Sequence, residues 1–192
     1  GSSVHGIDAT TITIEVNISK GAKFFIVGLA DSAVKESQQR IESALKNNGF
    51  NWPGFRIVVN LAPADLRKEG SAYDLPLALG VLAASGQVQR HKLEDYIIMG
   101  ELSLDGKLQR IRGVLSMALR ARAEKFRGLI LPSENTREAA VVQELEVIGA
   151  DSLMEVVQFL NDKLHLKPVK INAQSEFFRQ FNHFENDFAE VK

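Results

Sequence analysis

The sequence predicts an α+β (mixed α/β) fold, in which helices pack against a sheet. Strands and helices alternate in the hydrophobic pattern across residues 4–162, which is typical of a layered sandwich. Hydrophobic residues make up 45% of the chain and charged residues 24%, ordinary values for a folded protein. A chain of 192 residues can form one substantial core, or one domain followed by a tail.

The first predicted elements are two strands, a helix and a third strand. Thr10–Ser19 alternates apolar and polar side chains, which is the period of a half-buried strand. Lys23–Leu29 follows after a Lys-Gly turn, so we expect these two strands to form a hairpin. Helical spacing begins after Asp31, a candidate cap, and Asn47-Asn48-Gly49 ends the helix. Arg56–Pro63 is predicted to be a buried strand.

The middle of the chain continues with a helix over Asp74–Ser85, followed by a glycine stop. Tyr96–Leu102 is predicted to be a strand, and an Asp-Gly turn leads from it to another strand. A further helix covers Gly113–Lys125. Its predicted inward residues are Val114, Met117, Ala118 and Ala121.

The last predicted elements are a strand over Gly128–Pro132, a helix over Asn135–Val142, a strand over Leu145–Ala150 and a helix over Leu153–Leu160. Residues 163–192 lose this pattern and are predicted to be a connector that wraps onto the domain or onto a partner. Its phenylalanines have helical spacing, which fits either an amphipathic helix on the domain's own core or a hinge to a further domain. They are Phe177, Phe178, Phe181, Phe184 and Phe188.

Charge and composition exclude several classes of function. The net charge of −1 indicates neither a nucleic-acid nor a membrane partner by itself. The absence of cysteine excludes disulfides and thiolate sites, and the 4 histidines lack metal-ligand spacing, so we expect no metal. Without a membrane-length apolar run or a signal peptide, we expect a cytoplasmic protein. Gly1-Ser2 is typical of an expression scar, and we assign residues 1–3 to it and to the N-terminal end.

Basic residues concentrate in one segment of the chain. Lys107–Arg127 contains seven basic residues and one acid, Glu124. Such a surface is either solvated or contacts phosphates. The candidate DNA-binding residues are Lys107, Arg110, Arg112, Arg120 and Arg122.

A serine ahead of the Asp74 helix raises the question of nucleophilic catalysis. Ser71 lies in a charged turn, where a hydroxyl can be exposed beside helical N–H groups that stabilise an oxyanion. The alternative is a helix N-cap, in which the hydroxyl satisfies a backbone donor. The charged side chains of this turn are either solvated in a surface loop or contact another subunit. They are Asp65, Arg67, Lys68 and Glu69.

Five strings resemble, in the same order, the N-terminal domain of the magnesium-chelatase-like YifB/ComM family of bacterial AAA+ ATPases. The resemblance extends over residues 4–160, with Ala30 standing where the family commonly has proline. The strings are GIDA (Gly6–Ala9), FIVGLADSAVKES (Phe25–Ser37), NLAPADLRKEGSAYDLPLALGVLAASG (Asn60–Gly86), GELSLDGKLQRIRGVL (Gly100–Leu115) and LPSENTREAA (Leu131–Ala140).

This resemblance implies a ribosomal-protein-S5-domain-2-like fold, which the Lon protease domain also uses. The Lon serine turn is similar to KEGSAYD here, and the Lon lysine helix start is similar to RGVL, which puts Ala72 and Leu115 at the dyad positions. Neither side chain can act as nucleophile or base. A slip of one residue would bring Ser71 to the serine position, but the lysine would still be missing.

The resemblance therefore implies a non-catalytic domain that precedes an AAA+ module. ATP and Mg²⁺ would bind that module, and no cofactor is expected in this chain. The implied partners are its own AAA+ module, further copies in a hexameric ring and DNA, since the ComM branch is associated with branch migration during transformation. The alternatives from other classes are a Lon-like Ser/Lys peptidase and a pure protein-interaction module.

Overall fold

The computed structural model describes residues 1–171, which contain ten strands and five α-helices. The strands are β1 (Ser2–His5), β2 (Asp8–Thr11), β3 (Thr13–Ser19), β4 (Phe24–Val27), β5 (Arg56–Ala62), β6 (Tyr96–Ile98), β7 (Glu101–Leu102), β8 (Leu108–Gln109), β9 (Gly128–Pro132) and β10 (Glu146–Ala150). The helices are α1 (Ser32–Asn47), α2 (Asp74–Ala84), α3 (Val114–Ala123), α4 (Thr136–Ala139) and α5 (Leu153–Leu160). The predicted mixed α/β class is confirmed.

The first sheet has the strand order β3-β5-β4. β5 pairs antiparallel with β3, from Thr13↔Ala62 to Ser19↔Arg56, and parallel with β4. The predicted hairpin between the first two long strands is therefore wrong, because β5 lies between them. Since β4 and β5 run parallel, the chain needs a crossover, which α1 supplies.

The second sheet has the order β10-β9-β6, and its strands are parallel. Their apolar side chains are buried, as expected for a parallel sheet that helices cover. The predicted strand Tyr96–Leu102 is interrupted: β6 ends at Ile98, and β7 turns away to pair antiparallel with β8. The Gly100 N–H donates to Ala72 O at 2.8 Å, and Gly100 O accepts from Leu75 N–H at 2.9 Å, which ties this interruption to the start of α2.

The helices largely follow the sequence pattern. The Asp31 Oδ1 accepts from Val34 N at 2.8 Å, so the predicted cap of α1 is confirmed. The four predicted inward residues of α3 are all buried. The helix predicted over Asn135–Val142 is shorter at both ends: a 3-10 turn over Ser133–Asn135 precedes α4, and α4 ends at Ala139. The Asn135 side chain there bonds both the N–H and the C=O of Ile111, each at 2.9 Å.

Helix α2 is apolar all round and lies in the core, where it contacts α1, β3 and β7. Residues beyond α5 return to the domain, since the Val169 N–H donates to Val147 O at 2.8 Å. The predictions for the phenylalanine-rich segment concern residues 177–188, which lie outside the described residues.

Candidate functional site

The charged turn after β5 contains a buried lysine. The Lys68 side chain is fully buried, and its ammonium donates to the carbonyl oxygens of Pro63 and Leu66. Burial lowers the pKa of Lys68. Its backbone accepts from Asp31 N–H at 3.0 Å and donates to Leu29 O at 3.1 Å. The prediction that Lys68 belongs to a solvated loop or a subunit contact is therefore wrong: it holds the turn together from inside.

The other charges of the turn are at the surface. The Arg67 Nε lies 2.8 Å from Glu69 Oε1, and both side chains are more than half exposed. Asp65 is exposed as well. These three residues stay predicted subunit contacts.

Ser71 is not a helix N-cap. It opens a 3-10 turn over Ser71–Tyr73, α2 begins at Asp74, and neither start has a side-chain cap. The Ser71 hydroxyl instead donates to the Glu101 carboxylate. The two residues at the Lon dyad positions lie in different environments. Ala72 lines the cavity described below, whereas Leu115 is 41% exposed on α3.

Ser71 and Glu101 line a cavity of about 720 Å³. Its wall is formed by β1, the turn before α2, the residue after β6, the first residue of β7, the segment after β8 and the start of α3. A volume of this size is in the range of small-molecule sites. No lysine lines it among the residues that the structure describes.

The acids of this cavity already accept hydrogen bonds or pair with a cation. Asp31 accepts from Val34 N and, through Oδ2, from Gly70 N at 3.2 Å. Glu69 pairs with Arg67, and Glu101 accepts from Ser71.

The structure divides the predicted basic patch into paired and unpaired cations. Lys107 lies 3.3 Å from Asp105, and Arg120 forms an ion pair with Glu124 one turn along α3. The other three arginines are exposed and have no ion pair within residues 1–171. They are Arg110 and Arg112, which both line the cavity, and Arg122 on α3.

Tyr73 is a residue of this site that the sequence did not single out. Its side chain is 2% exposed and lines the cavity. The Tyr73 Oη has no hydrogen-bond partner in the described part of the chain. Burial raises the pKa of Tyr73 to about 12, against the opposing effect of the nearby Ser3 hydroxyl. The only signal in the sequence was a polar side chain at the edge of an apolar run.

A row of apolar side chains forms a second surface. Phe25, Val27 and Leu29 are 40%, 48% and 55% exposed, on and just beyond β4. Because β4 is at the edge of its sheet, its outer backbone groups have no neighbouring strand among the described residues. The Arg56 guanidinium lies 5.2 Å from the centre of the Phe25 ring.

Residues 1–171 contain neither a cluster of metal ligands nor a membrane-spanning helix. No cluster of three or more histidine, aspartate or glutamate side chains there could hold a metal ion. No helix in residues 1–171 is long and apolar enough to cross a membrane.

The domain thus combines a mixed α/β core with a polar cavity at the start of its central helix. Its sequence matches the family described as subunit ChlI of Mg-chelatase over residues 14–135. The chain belongs to this family.

Its relatives confirm the predicted resemblance to YifB and ComM. The chain is 46% identical over 157 residues to the competence protein ComM of Haemophilus influenzae, a match that covers 81% of this chain and 31% of that protein. It is 42% identical over 166 residues to YifB of Escherichia coli, covering 86% and 33% of the two chains. Lon protease 2 of Bacillus subtilis is 24% identical over 151 residues, covering 76% and 26%. The chain spans about a third of the length of the first two relatives.

Proposed function

We propose that this chain is the non-catalytic N-terminal domain of a YifB/ComM-type AAA+ ATPase and that it engages DNA while a further module hydrolyses ATP. The observation that carries the proposal is the coverage of its relatives. Most of this chain matches only 31% to 33% of the length of those proteins. ATP and Mg²⁺ would bind the remaining part of such a protein, in the cytoplasm. The distant similarity to Lon protease 2 supports an S5-domain-2-like fold.

DNA engagement is supported by the unpaired arginines. Arg110, Arg112 and Arg122 are exposed cations without a carboxylate partner in the described chain, so they are free to contact phosphates. Lys107 and Arg120 contribute less, because an adjacent carboxylate offsets the charge of each. The relation to a competence protein agrees with a DNA substrate.

Fluorescence anisotropy tests this proposal. The 192-residue chain is titrated into labelled single-stranded and forked DNA at low and high salt, beside a variant with Arg110→Ala, Arg112→Ala and Arg122→Ala. We expect salt-dependent binding that weakens by more than tenfold in the variant, since phosphate contacts release counterions (about one per contact).

The matched control removes cations at a distant turn. Lys20 and Lys23 are exposed, lie between β3 and β4, and have no ion pair among the described residues. A Lys20→Ala, Lys23→Ala variant is expected to bind nearly as the parent does. Losses in proportion to the charge removed, three cations against two, would mean that only net charge matters, and no binding in any of them would contradict the DNA proposal.

Assembly is a second candidate function, and the apolar row on β4 favours it. An edge strand with exposed Phe25, Val27 and Leu29 is a surface that other proteins cover. Ring formation would require a repeated contact between unlike surfaces. We expect concentration-dependent association in sedimentation velocity that a Val27→Lys, Leu29→Lys variant abolishes.

The control for assembly is Ile7→Lys. Ile7 is 87% exposed at the turn between β1 and β2. These two strands form a sheet of their own, separate from the sheet that contains β4. Association that persists in the β4 variant and is lost in the Ile7 variant would indicate that the subunit contact lies at the turn between β1 and β2. A monomer at all concentrations would contradict assembly by this domain alone.

A Ser/Lys peptidase is the alternative that the site supports least. The Ser71 hydroxyl donates to Glu101, and no lysine lines the cavity among the described residues. We expect no labelling of Ser71 by a fluorophosphonate probe under conditions that label an active Lon protease. Labelling that is lost in Ser71→Ala would restore the peptidase hypothesis.

A further inference from the structure

The edges of the two larger sheets share a second cavity. Within the described residues, β3 is an edge strand of the first sheet and β6 is an edge strand of the second. Side chains of both strands line one cavity of about 410 Å³, together with Pro76, Leu79 and Gly80 of α2. A Cβ on Gly80 would stand 2.7 Å from Val16 Cγ2, so α2 packs directly against β3 here. We call this cavity the β3–β6 groove.

The apolar side of β3 is only partly covered. Ile14, Val16 and Ile18 pack against the core, yet all three stay half-buried. Their register partners on β5 are fully buried, and these are Leu61, Val59 and Ile57. The two rows differ because β5 has a strand on each side, whereas β3 has one on a single side among the described residues. A further strand beside β3 would cover the exposed part of its row.

The backbone of β3 also directs groups away from its sheet. The Ile57 N–H donates to Lys23 O at 2.9 Å, toward β4, so the even-numbered residues of β5 are those that face β3. Their register partners on β3 are the odd-numbered residues. The N–H and C=O groups of Ile14 and Val16 therefore point away from β5, where the described chain places no neighbouring strand.

Gly1 already lies at one end of the groove. Its nitrogen donates to Ile12 O, and the Ile12 N–H donates to Gly1 O, both at 2.8 Å. This pair continues the antiparallel register of β1 with β2. A Cβ on Gly1 would stand 3.3 Å from Ile14 Cδ1 and 3.2 Å from the sulfur of Met99, the residue after β6. A single strand position thus contacts side chains from both edges.

The environment of the Gly1 nitrogen suits a peptide group better than a charged amine. Burial lowers the pKa of the Gly1 amino group to about 5. A peptide N–H would donate the same hydrogen bond to Ile12 O without bringing a charge into the interior.

From this arrangement we propose that the β3–β6 groove holds a further β-strand, formed by residues joined to the nitrogen of Gly1, which runs antiparallel to β3 and parallel to β6. The strand belongs to the same polypeptide, because the register of β1 leads directly into the groove. Its second and fourth residues before Gly1 oppose Ile14 and Val16 and face inward, so they are apolar. The added strand joins the two sheets into one. This inference goes beyond the proposed DNA engagement and does not depend on it.

Two extensions of the 192-residue chain test the proposal. One adds Val-Lys-Val-Thr-Val-Lys before Gly1, which puts valine at every inward position. The other adds Lys-Val-Thr-Val-Lys-Val, which has the same composition shifted by one position. We expect the first to raise the folding equilibrium constant at least about tenfold over the second, measured by urea denaturation, because valine side chains become buried. Equal constants for the two extended chains would overturn the proposal.

Amide hydrogen exchange locates the added strand. We expect the N–H groups of Ile14 and Val16 to exchange at least about tenfold more slowly in the chain with inward valines than in the parent chain, since they then donate to a neighbouring strand. A gain in stability that leaves the exchange of both amides unchanged would mean that the extension binds elsewhere, and would overturn the assignment to the groove.

A free peptide distinguishes a continuous chain from a separate partner. The acetylated and amidated peptide Val-Lys-Val-Thr-Val-Lys is added at micromolar concentration to the 192-residue chain. We expect no protection of the Ile14 and Val16 amides, because only a covalent link supplies an effective concentration of about millimolar. Protection of both amides by the free peptide would overturn the assignment to the same polypeptide and make the groove a site for a partner's strand.

Discussion

Arg40 and Asp74 form a two-pronged ion pair that joins α1 to α2. The Arg40 Nε lies 2.7 Å from Asp74 Oδ2, and Nη2 lies 2.9 Å from Oδ1. The Asp74 side chain is fully buried and also accepts from Leu102 N–H at 3.2 Å. Burial raises the pKa of the Asp74 carboxyl, and the bonds from Arg40 oppose that shift. One carboxylate thus links α1, α2 and β7.

Removing one partner of this pair is expected to be costly. Arg40→Met leaves the Asp74 carboxylate buried without its cation, so we expect the free energy of unfolding to fall by about 3–5 kcal/mol, measured by urea denaturation. Arg40→Met, Asp74→Leu should recover most of that loss, since both charges are then gone.

The control is the exposed pair of Lys46 and Glu42, 2.6 Å apart on α1. Lys46→Ala is expected to change the free energy of unfolding by less than about 1 kcal/mol. A small loss in Arg40→Met, or a double variant that recovers none of that loss, would show that the buried pair does not hold the elements together.

Gly28 lies where no other residue fits. A Cβ there would stand 2.2 Å from Leu61 O, and the backbone has φ of +100°. Gly28→Ala would push β4 away from β5, so we expect a loss of more than about 3 kcal/mol in the free energy of unfolding. Gly49 also has a positive φ, of +76°, but an open environment. Gly49→Ala should therefore cost only about 1 kcal/mol, and equal losses would contradict the steric account.

Local signals in the sequence predicted the elements well. The Asp31 cap, the inward residues of α3 and the largely apolar strands of the second sheet depend on neighbours within one turn or strand. Such patterns report burial and period directly. They do not report which strand pairs with which, so the insertion of β5 between β3 and β4 was missed.

The site was harder to predict, because it depends on contacts distant in sequence. Ser71 meets Glu101 across 30 positions, and Arg40 meets Asp74 across 34. The basic segment was visible in the sequence. The sequence did not show that Arg120 forms an ion pair, or that Arg110 and Arg112 line the cavity without one among the described residues. A charged turn also gave no sign that Lys68 folds inward onto backbone carbonyls.

Lys68 is expected to resist chemical modification. Its buried ammonium donates to two carbonyl oxygens, whereas Lys20 and Lys23 are exposed. Brief treatment of the folded protein with an acylating reagent, followed by peptide mass analysis, should modify Lys20 and Lys23 and spare Lys68. The urea-unfolded protein should react at all three. Equal reaction of Lys68 in the folded protein would show that the turn opens readily.

The two tyrosines of the chain predict a loss of stability at high pH. Burial raises the pKa of Tyr73 to about 12, and burial together with the Glu146 carboxylate raises that of Tyr96 above its ordinary value of 10. The Tyr96 hydroxyl donates to Glu146 Oε2 at 2.8 Å. Folded tyrosines therefore keep protons that unfolded ones lose above pH 10, and the free energy of unfolding falls as pH rises from there, by about 1.4 kcal/mol per pH unit for each tyrosine.

Absorbance of tyrosinate measures this effect directly. The folded protein is expected to show almost no titration at pH 10, and the urea-unfolded protein a midpoint near that pH. Glu146→Gln removes the negative charge beside Tyr96, so it should bring only the Tyr96 titration downward, while Tyr73→Phe should remove the transition near 12 and leave Tyr96 in place. A folded protein that ionises both tyrosines at pH 10, with unchanged stability, would mean that neither phenol is buried as the structure places it.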